Sequence, residues 1–134
     1  MLTKQDLDDL GVDYYSAPPA PKPPMGMVKE FSRIMGQTPD HKLYSALITE
    51  EFGEWYSEWL YGSQEPQLKE LADLVYVIYG YANANDWDLD EALQRVHANN
   101  VGRCVQPDGT VQRREDGKIL KNKDYPKVDL SDLV

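Results

Sequence analysis

The stretch LKELADLVYVIYGYA, residues 68–82, constrains the fold more than any other part of the chain. Laid on a helix at about 100° per residue, its apolar side chains surround the cylinder almost completely, which is the pattern of a buried helix. Its only acids, Glu70 and Asp73, stand three residues apart on the side of Leu74, Val77 and Tyr81. A carboxylate in such surroundings costs several kcal/mol unless it pairs with a cation, takes up a proton or binds a metal.

A second stretch repeats the anomaly. ITEEFGEWYSEW, Ile48 to Trp59, carries Glu50, Glu51, Glu54 and Glu58 among two tryptophans. On a helix, Tyr44, Ile48, Phe52, Trp55 and Trp59 form a stripe beside Glu51, and Leu43 and Leu47 lie on its other flank, next to Glu54. Glu51 and Glu54 are thus a second acid pair three apart, bracketed by apolar side chains. The central helices offer few cations, namely Lys42, Lys69 and Arg95, too few for Glu50, Glu51, Glu54, Glu58, Glu70 and Asp73 together. Hard oxygen ligands suit Mg²⁺ or Mn²⁺. A di-iron bundle would want Glu-x-x-His on two helices, and neither His41 nor His97 stands three residues after a relevant glutamate. An EF-hand needs its acids in a glycine-containing loop, not on helices.

The rest of the chain frames these helices. A length of 134 residues predicts one domain with a sizeable core. The net charge of −9 argues against a nucleic-acid or anionic-membrane surface. The charge is uneven: residues 31–102 hold 12 acids against 4 Lys/Arg, whereas residues 103–127 hold 7 Lys/Arg against 4 acids. An acidic middle and a basic tail suit a metal and an anionic substrate held between them. Cys104 is the only cysteine, so a disulfide framework is excluded. The acidic start MLTKQDLDDL is unlike a signal peptide, and no apolar run approaches a membrane span, so the cytoplasm is the expected compartment.

The spacing predicts a short helix over 28–36, stopped by Gly36. A long helix follows from about Asp40, a plausible N-cap, to Tyr61, with Gly62 past its end. A third covers about 67–85 and a fourth about 88–102. SAPPAPKPPMG, with five prolines in eleven positions, predicts an extended arm over 1–27. Asp108-Gly109 and Asp116-Gly117 predict turns in a polar, strand-leaning tail over 104–134. The whole is read as an all-α four-helix bundle with an irregular tail, its helical core over 28–103. Trp55, Tyr56, Trp59, Tyr76 and Tyr79 are expected in the core or at an interface.

Glu50-Glu51-Phe52-Gly53-Glu54, followed after fifteen residues by Glu70-Leu71-Ala72-Asp73, resembles the EExxE…ExxD signature of all-α nucleoside triphosphate pyrophosphohydrolases, the MazG-like and phosphoribosyl-ATP pyrophosphohydrolase-like proteins. VKEFSRIMGQ before it, and HANNVGR and DGTVQRREDGKILK after it, agree with that family. The resemblance implies Mg²⁺-dependent hydrolysis between the α- and β-phosphates, with Mn²⁺ able to substitute and two or more ions per site. Carried over by position, Glu51, Glu54, Glu70 and Asp73 would be metal ligands, with Glu50 at the rim, either supporting the ligands from behind or helping to orient the attacking water. Arg103, Lys118 and Lys121 would contact phosphates, Asn100 would cap its helix or contact the substrate, and Phe31 and Gln37 would border the base. Arg103 stands where the family commonly has lysine, keeping the charge but presenting a planar fork.

Such members assemble as homodimers or homotetramers and act on nucleoside triphosphates. The compact form resembles phage-encoded members, some of them directed at dGTP or GTP; dUTP, dCTP or damaged nucleotides are the alternative substrates. The rival from another class is a non-catalytic metal- or nucleotide-binding helical module.

Overall fold

The computed structural model describes residues 3–9 and 22–134. Most of the proline-rich arm, residues 10–21, lies outside the described residues. Among the described residues five α-helices follow one another: α1 (Lys4–Asp9), α2 (Pro24–Met35), α3 (His41–Tyr61), α4 (Gln64–Ala84) and α5 (Leu89–Cys104). Helix α1 is not signalled by the sequence pattern. Among the described residues there is no strand, so the protein is all-α, with four long helices. The chain divides into two compact units, Met1–Trp87 and Asp88–Val134.

In the first unit the helix ends are set by local chemistry. Helix α2 begins at Pro24, four residues before the expected start at 28, because proline at the first helical position sacrifices no hydrogen bond and already has helical φ. It ends where Gly36, at φ 63°, donates to the Arg33 carbonyl, and Gln37 N–H reaches the Ser32 carbonyl at 3.1 Å. That pair of bonds is a Schellman motif, and its left-handed residue favours glycine. Asp40 caps α3 as expected, its carboxylate accepting from Lys42 N–H at 2.9 Å. Helix α4 starts at Gln64, so Pro66 falls in its first turn, where its missing N–H costs nothing.

Only Gly62 and Ser63 separate α3 from α4, so these two 21-residue helices pair as an antiparallel hairpin. Their register is set by a size match. The Tyr44 ring, 9% exposed, lies against Gly80, where an added Cβ would run into ring atoms Cδ1, Cε1 and Cζ. Seven residues, two helical turns, keep a side chain on nearly the same face. In an antiparallel pair the register that sets Tyr44 on Gly80 therefore sets Glu51 opposite Asp73. Met25, Val28 and Ile34 of α2 and Tyr79 and Ala82 of α4 supply the remaining buried apolar side chains.

Helix α4 is less enclosed than its all-round apolar pattern predicts. Leu68 is 69% exposed, and Leu71, Val75, Tyr76 and Ile78 are exposed as well. The pattern calls for neighbours on every side, and α3 and α2 cover only part of the circumference. Phe52, Tyr56 and Trp59 of α3 are also exposed rather than in the core, in a row of ring contacts that includes Trp55–Trp59 at 6.4 Å and an interplanar angle of 19°.

In the second unit Asp88 caps α5 by accepting from Glu91 N–H at 3.0 Å. Arg95 holds the C-terminal segment to α5 through a bidentate pair with Asp132, at 2.6 and 2.9 Å. Asn99 donates to the Pro126 carbonyl, and Tyr125 packs over Gly102. Both Asp-Gly turns form, with Gly109 at φ 83° and Gly117 at φ 87°. The strand leaning of the tail reduces to two isolated bridges, Val105 with Val111 and Arg113 with Ile119.

Candidate metal centre

Three carboxylates meet where the α3–α4 register places them. One oxygen each from Glu51, Glu70 and Asp73 lie within 4.8 Å of one another. The two from α4 share a face because they are three apart; Glu51 arrives from across the hairpin. Glu70 is well enclosed, its side chain 15% exposed, while Asp73 is more open at 38%. Glu51 Oε2 and Glu70 Oε2 are buried with no hydrogen-bond partner. Buried acceptors are nearly always satisfied, so two orphaned carboxylate oxygens in one group have the chemistry that a cation would satisfy.

The electrostatics agree. The Glu51 carboxyl is held above the usual carboxylate range, first by burial, then by the charge and hydrogen bond of Glu54, then by the charges of Asp73 and Glu70. Lys69 is the cation found on the group, with Nζ 2.5 Å from Asp73 and 3.6 Å from Glu70. One lysine against Glu51, Glu54, Glu70 and Asp73 leaves excess negative charge. An all-oxygen donor set with that excess fits a hard divalent ion, of the kind Mg²⁺ and Mn²⁺ provide.

The other expected site residues are placed less directly. Glu54 is exposed, next to Glu51 but outside the three-carboxylate group; Glu50 is exposed and outside it as well. Phe31 packs edge-on against Tyr76 at 5.6 Å, and Gln37 closes the end of α2. Asn100, Arg103, Lys118 and Lys121 belong to the second unit. There Asn100 Oδ1 accepts from Arg103 Nη2 at 2.8 Å, Arg103 Nε is buried without a partner, and both lysines are exposed. The contact of Lys69 with Asp73 is absent from the sequence reading, although the i,i+4 spacing on α4 signals it.

A cleft of about 420 Å³ opens between α2 and α4, lined by Pro24, Met27, Val28, Leu71, Val75 and Tyr79 among others. Its wall on α4 is turned away from Glu70 and Asp73 by helical phase, and its lining carries no charged residue. The cleft is thus separate from the carboxylate group.

The raised Glu51 carboxyl makes stability depend on pH. A carboxyl whose folded pKa is raised binds more protons folded than unfolded, so stability falls as pH rises from its ordinary value of 4.5 through the higher folded value. Below 4.5 both states are protonated and the cost is absent. A bound divalent ion removes the cost. Melting curves between about pH 4 and pH 8 should therefore show a Mg²⁺-induced rise in Tm that is large at neutral pH and shrinks toward pH 4. A Mg²⁺ effect independent of pH would contradict this.

No curated protein matches the chain. The phosphoribosyl-ATP pyrophosphohydrolase family model matches residues 28–100, more than half of the chain and a span that contains both acid pairs. On that match, with Glu51, Glu70 and Asp73 gathered within it, the chain belongs to the phosphoribosyl-ATP pyrophosphohydrolase family, within the MazG-like all-α nucleoside triphosphate pyrophosphohydrolase superfamily.

Proposed function

We propose that the protein hydrolyses a nucleoside triphosphate between the α- and β-phosphates, adding water and releasing a monophosphate and pyrophosphate, with Mg²⁺ as cofactor and Mn²⁺ able to replace it. The observation that carries this is the group of Glu51, Glu70 and Asp73 oxygens within 4.8 Å, two of the group's carboxylate oxygens being buried and unpartnered. The family itself implies pyrophosphohydrolase activity and is typically dependent on divalent metal.

Glu51, Glu70 and Asp73 would hold metal, with Glu54 joining from the next turn of α3, and two or more ions are proposed. Bound there, a divalent ion supplies charge neutralisation of the triphosphate and a lowered pKa for a coordinated water. Glu50, at the rim of α3, orients the attacking water. Arg103, Lys118 and Lys121 bind phosphate oxygens, Asn100 contacts the substrate, and Phe31 and Gln37 border the base. Residues 28–103 form the catalytic core in this proposal, the arm and tail flanking it. The substrate is proposed to be dGTP or GTP, on resemblance to phage-type members, in a cytoplasmic setting. No described helix is long and apolar enough to cross a membrane. A panel of all NTPs and dNTPs, with phosphoribosyl-ATP included, tests the base: guanine nucleotides should turn over fastest, and a pyrimidine or phosphoribosyl-ATP preference would replace that part of the proposal.

The same protein is proposed to work as a homodimer or homotetramer. The apolar α2–α4 cleft and the exposed Phe52, Tyr56 and Trp59 are surfaces that isolated protomers seldom leave in water. Sedimentation should give a multiple of 15.3 kDa; a monomer at micromolar concentration would refute it.

A further inference from the structure

Lys69 carries charge of the same sign as the proposed cofactor, yet its ammonium sits on the ligand carboxylates of the metal centre. Among residues 31–102 the only Lys/Arg are Arg33, Lys42, Lys69 and Arg95, so a lysine directly preceding Glu70 is conspicuous. Its side chain is 64% exposed and approaches from solvent. The ammonium ends on Asp73 Oδ2 at 2.5 Å and near Glu70 Oε1 at 3.6 Å. Asp73, more open than Glu70, is therefore already neutralised, whereas the orphaned oxygens belong to Glu51 and Glu70 deeper in the group.

We infer that Lys69 is an intramolecular counter-ion of the metal centre: its ammonium holds Asp73 while the site is metal-free, and a divalent ion binds by displacing it. This rests on the reading of Glu51, Glu70 and Asp73 as metal ligands. The exchange is feasible because an exposed i,i+4 lysine–carboxylate pair is among the weakest ion pairs, while a divalent ion meets several carboxylates at once. After displacement the tethered ammonium stays close to a second positive centre, so it opposes the ion through repulsion as well as competition. Lysine suits this role, being a flexible point charge that can swing away without leaving a rigid fork unsatisfied. The lysine thus sets how much free metal the protein needs before the centre fills.

The test is a Mn²⁺ titration of the full chain without nucleotide, with free Mn²⁺ read by its electron paramagnetic resonance signal. Lys69→Met and Lys69→Gln should bind Mn²⁺ about three- to tenfold more tightly than wild type, and Lys69→Arg, which keeps the charge, should bind no more tightly than wild type. In an Asp73→Asn background the gain from Lys69→Met should fall below about twofold, because the carboxylate for which lysine and metal compete is gone. Two variants at an exposed position guard against a folding artefact. Equal or weaker binding by both neutral variants, with wild type still binding Mn²⁺, overturns the role of Lys69 and leaves the metal centre standing. Absence of Mn²⁺ binding in every protein overturns the metal-centre reading, and the role of Lys69 with it.

Discussion

Replacing Glu70 by glutamine is expected to lower turnover about 10³-fold while raising the melting temperature of the metal-free protein. The two effects have one cause. Glu70 is well enclosed, and its Oε2 is buried without a partner while its charge repels that of Glu51. Glutamine keeps the volume but removes the charge and turns one oxygen into a donor that can serve the neighbouring carboxylates. The relief of repulsion should exceed the loss of a 3.6 Å contact to an exposed lysine. A gain of about 1 kcal/mol corresponds to a rise of about 4 °C in Tm for a chain of this size. Catalysis is expected to respond in the opposite direction, because removing a single preorganised electrostatic group costs about 10²–10³-fold, and Glu70 is also a ligand in the proposed metal centre. The Mg²⁺-dependent rise in Tm should shrink in the variant. Retained turnover, or a lower Tm with the Mg²⁺ effect intact, would show that Glu70 is an ordinary structural acid.

The second large effect is expected far from any charge. Gly80→Ala should destabilise the protein by about 2 kcal/mol, against the usual rule that alanine improves a helix by about 1 kcal/mol over glycine. Overpacking costs about 1–3 kcal/mol and should lie at the upper end here, since the new methyl falls on three carbons of the Tyr44 ring. Tyr44 is 9% exposed and has little room to yield. Tyr44→Ala alone should cost about 3–5 kcal/mol as a large core deletion. In that background Gly80→Ala should become neutral or stabilising, so a denaturation cycle of four proteins isolates the contact. Additive losses would mean that the ring does not sit over Gly80. Because this contact sets the register that carries Glu51 to Asp73, Gly80→Ala should also weaken metal binding, although Gly80 and Asp73 lie two helical turns apart along α4.

The helix framework is legible in the sequence because its punctuation is local. Gly36, Asp40, Gly62 and Asp88 mark ends through cap chemistry that needs no tertiary partner, and the Asp-Gly turns at 109 and 117 follow from left-handed glycine. The acid group is legible for a related reason: two i,i+3 acid pairs set among apolar side chains, with few cations near them, call for a divalent ion. What the sequence hides depends on geometry between elements. Glu54 stands exposed beside Glu51 and outside the group that Glu51, Glu70 and Asp73 form, an arrangement that spacing along one helix does not give. The all-round apolar pattern of α4 suggests burial, but periodicity records that a face needs a neighbour, not whether the same chain supplies it. Pro24 reads as part of an extended arm because proline breaks helices, and its opposite role at a first helical position wins. Lys69 reads as one of a few stray cations, although the residue four positions on is Asp73.

If the Glu51–Glu70–Asp73 group is a metal centre for cleaving a phosphoanhydride bond at the α-phosphate, the products of turnover carry its signature. Phosphorus-31 NMR of the reaction mixture reads them most directly, with purified protein, Mg²⁺ and the triphosphate that turns over fastest. Growth of a monophosphate and a pyrophosphate resonance together, abolished by chelation and by Glu70→Gln, is the predicted result. Release of orthophosphate with a nucleoside diphosphate, or an unchanged spectrum with every nucleotide while Mn²⁺ still binds, would contradict it.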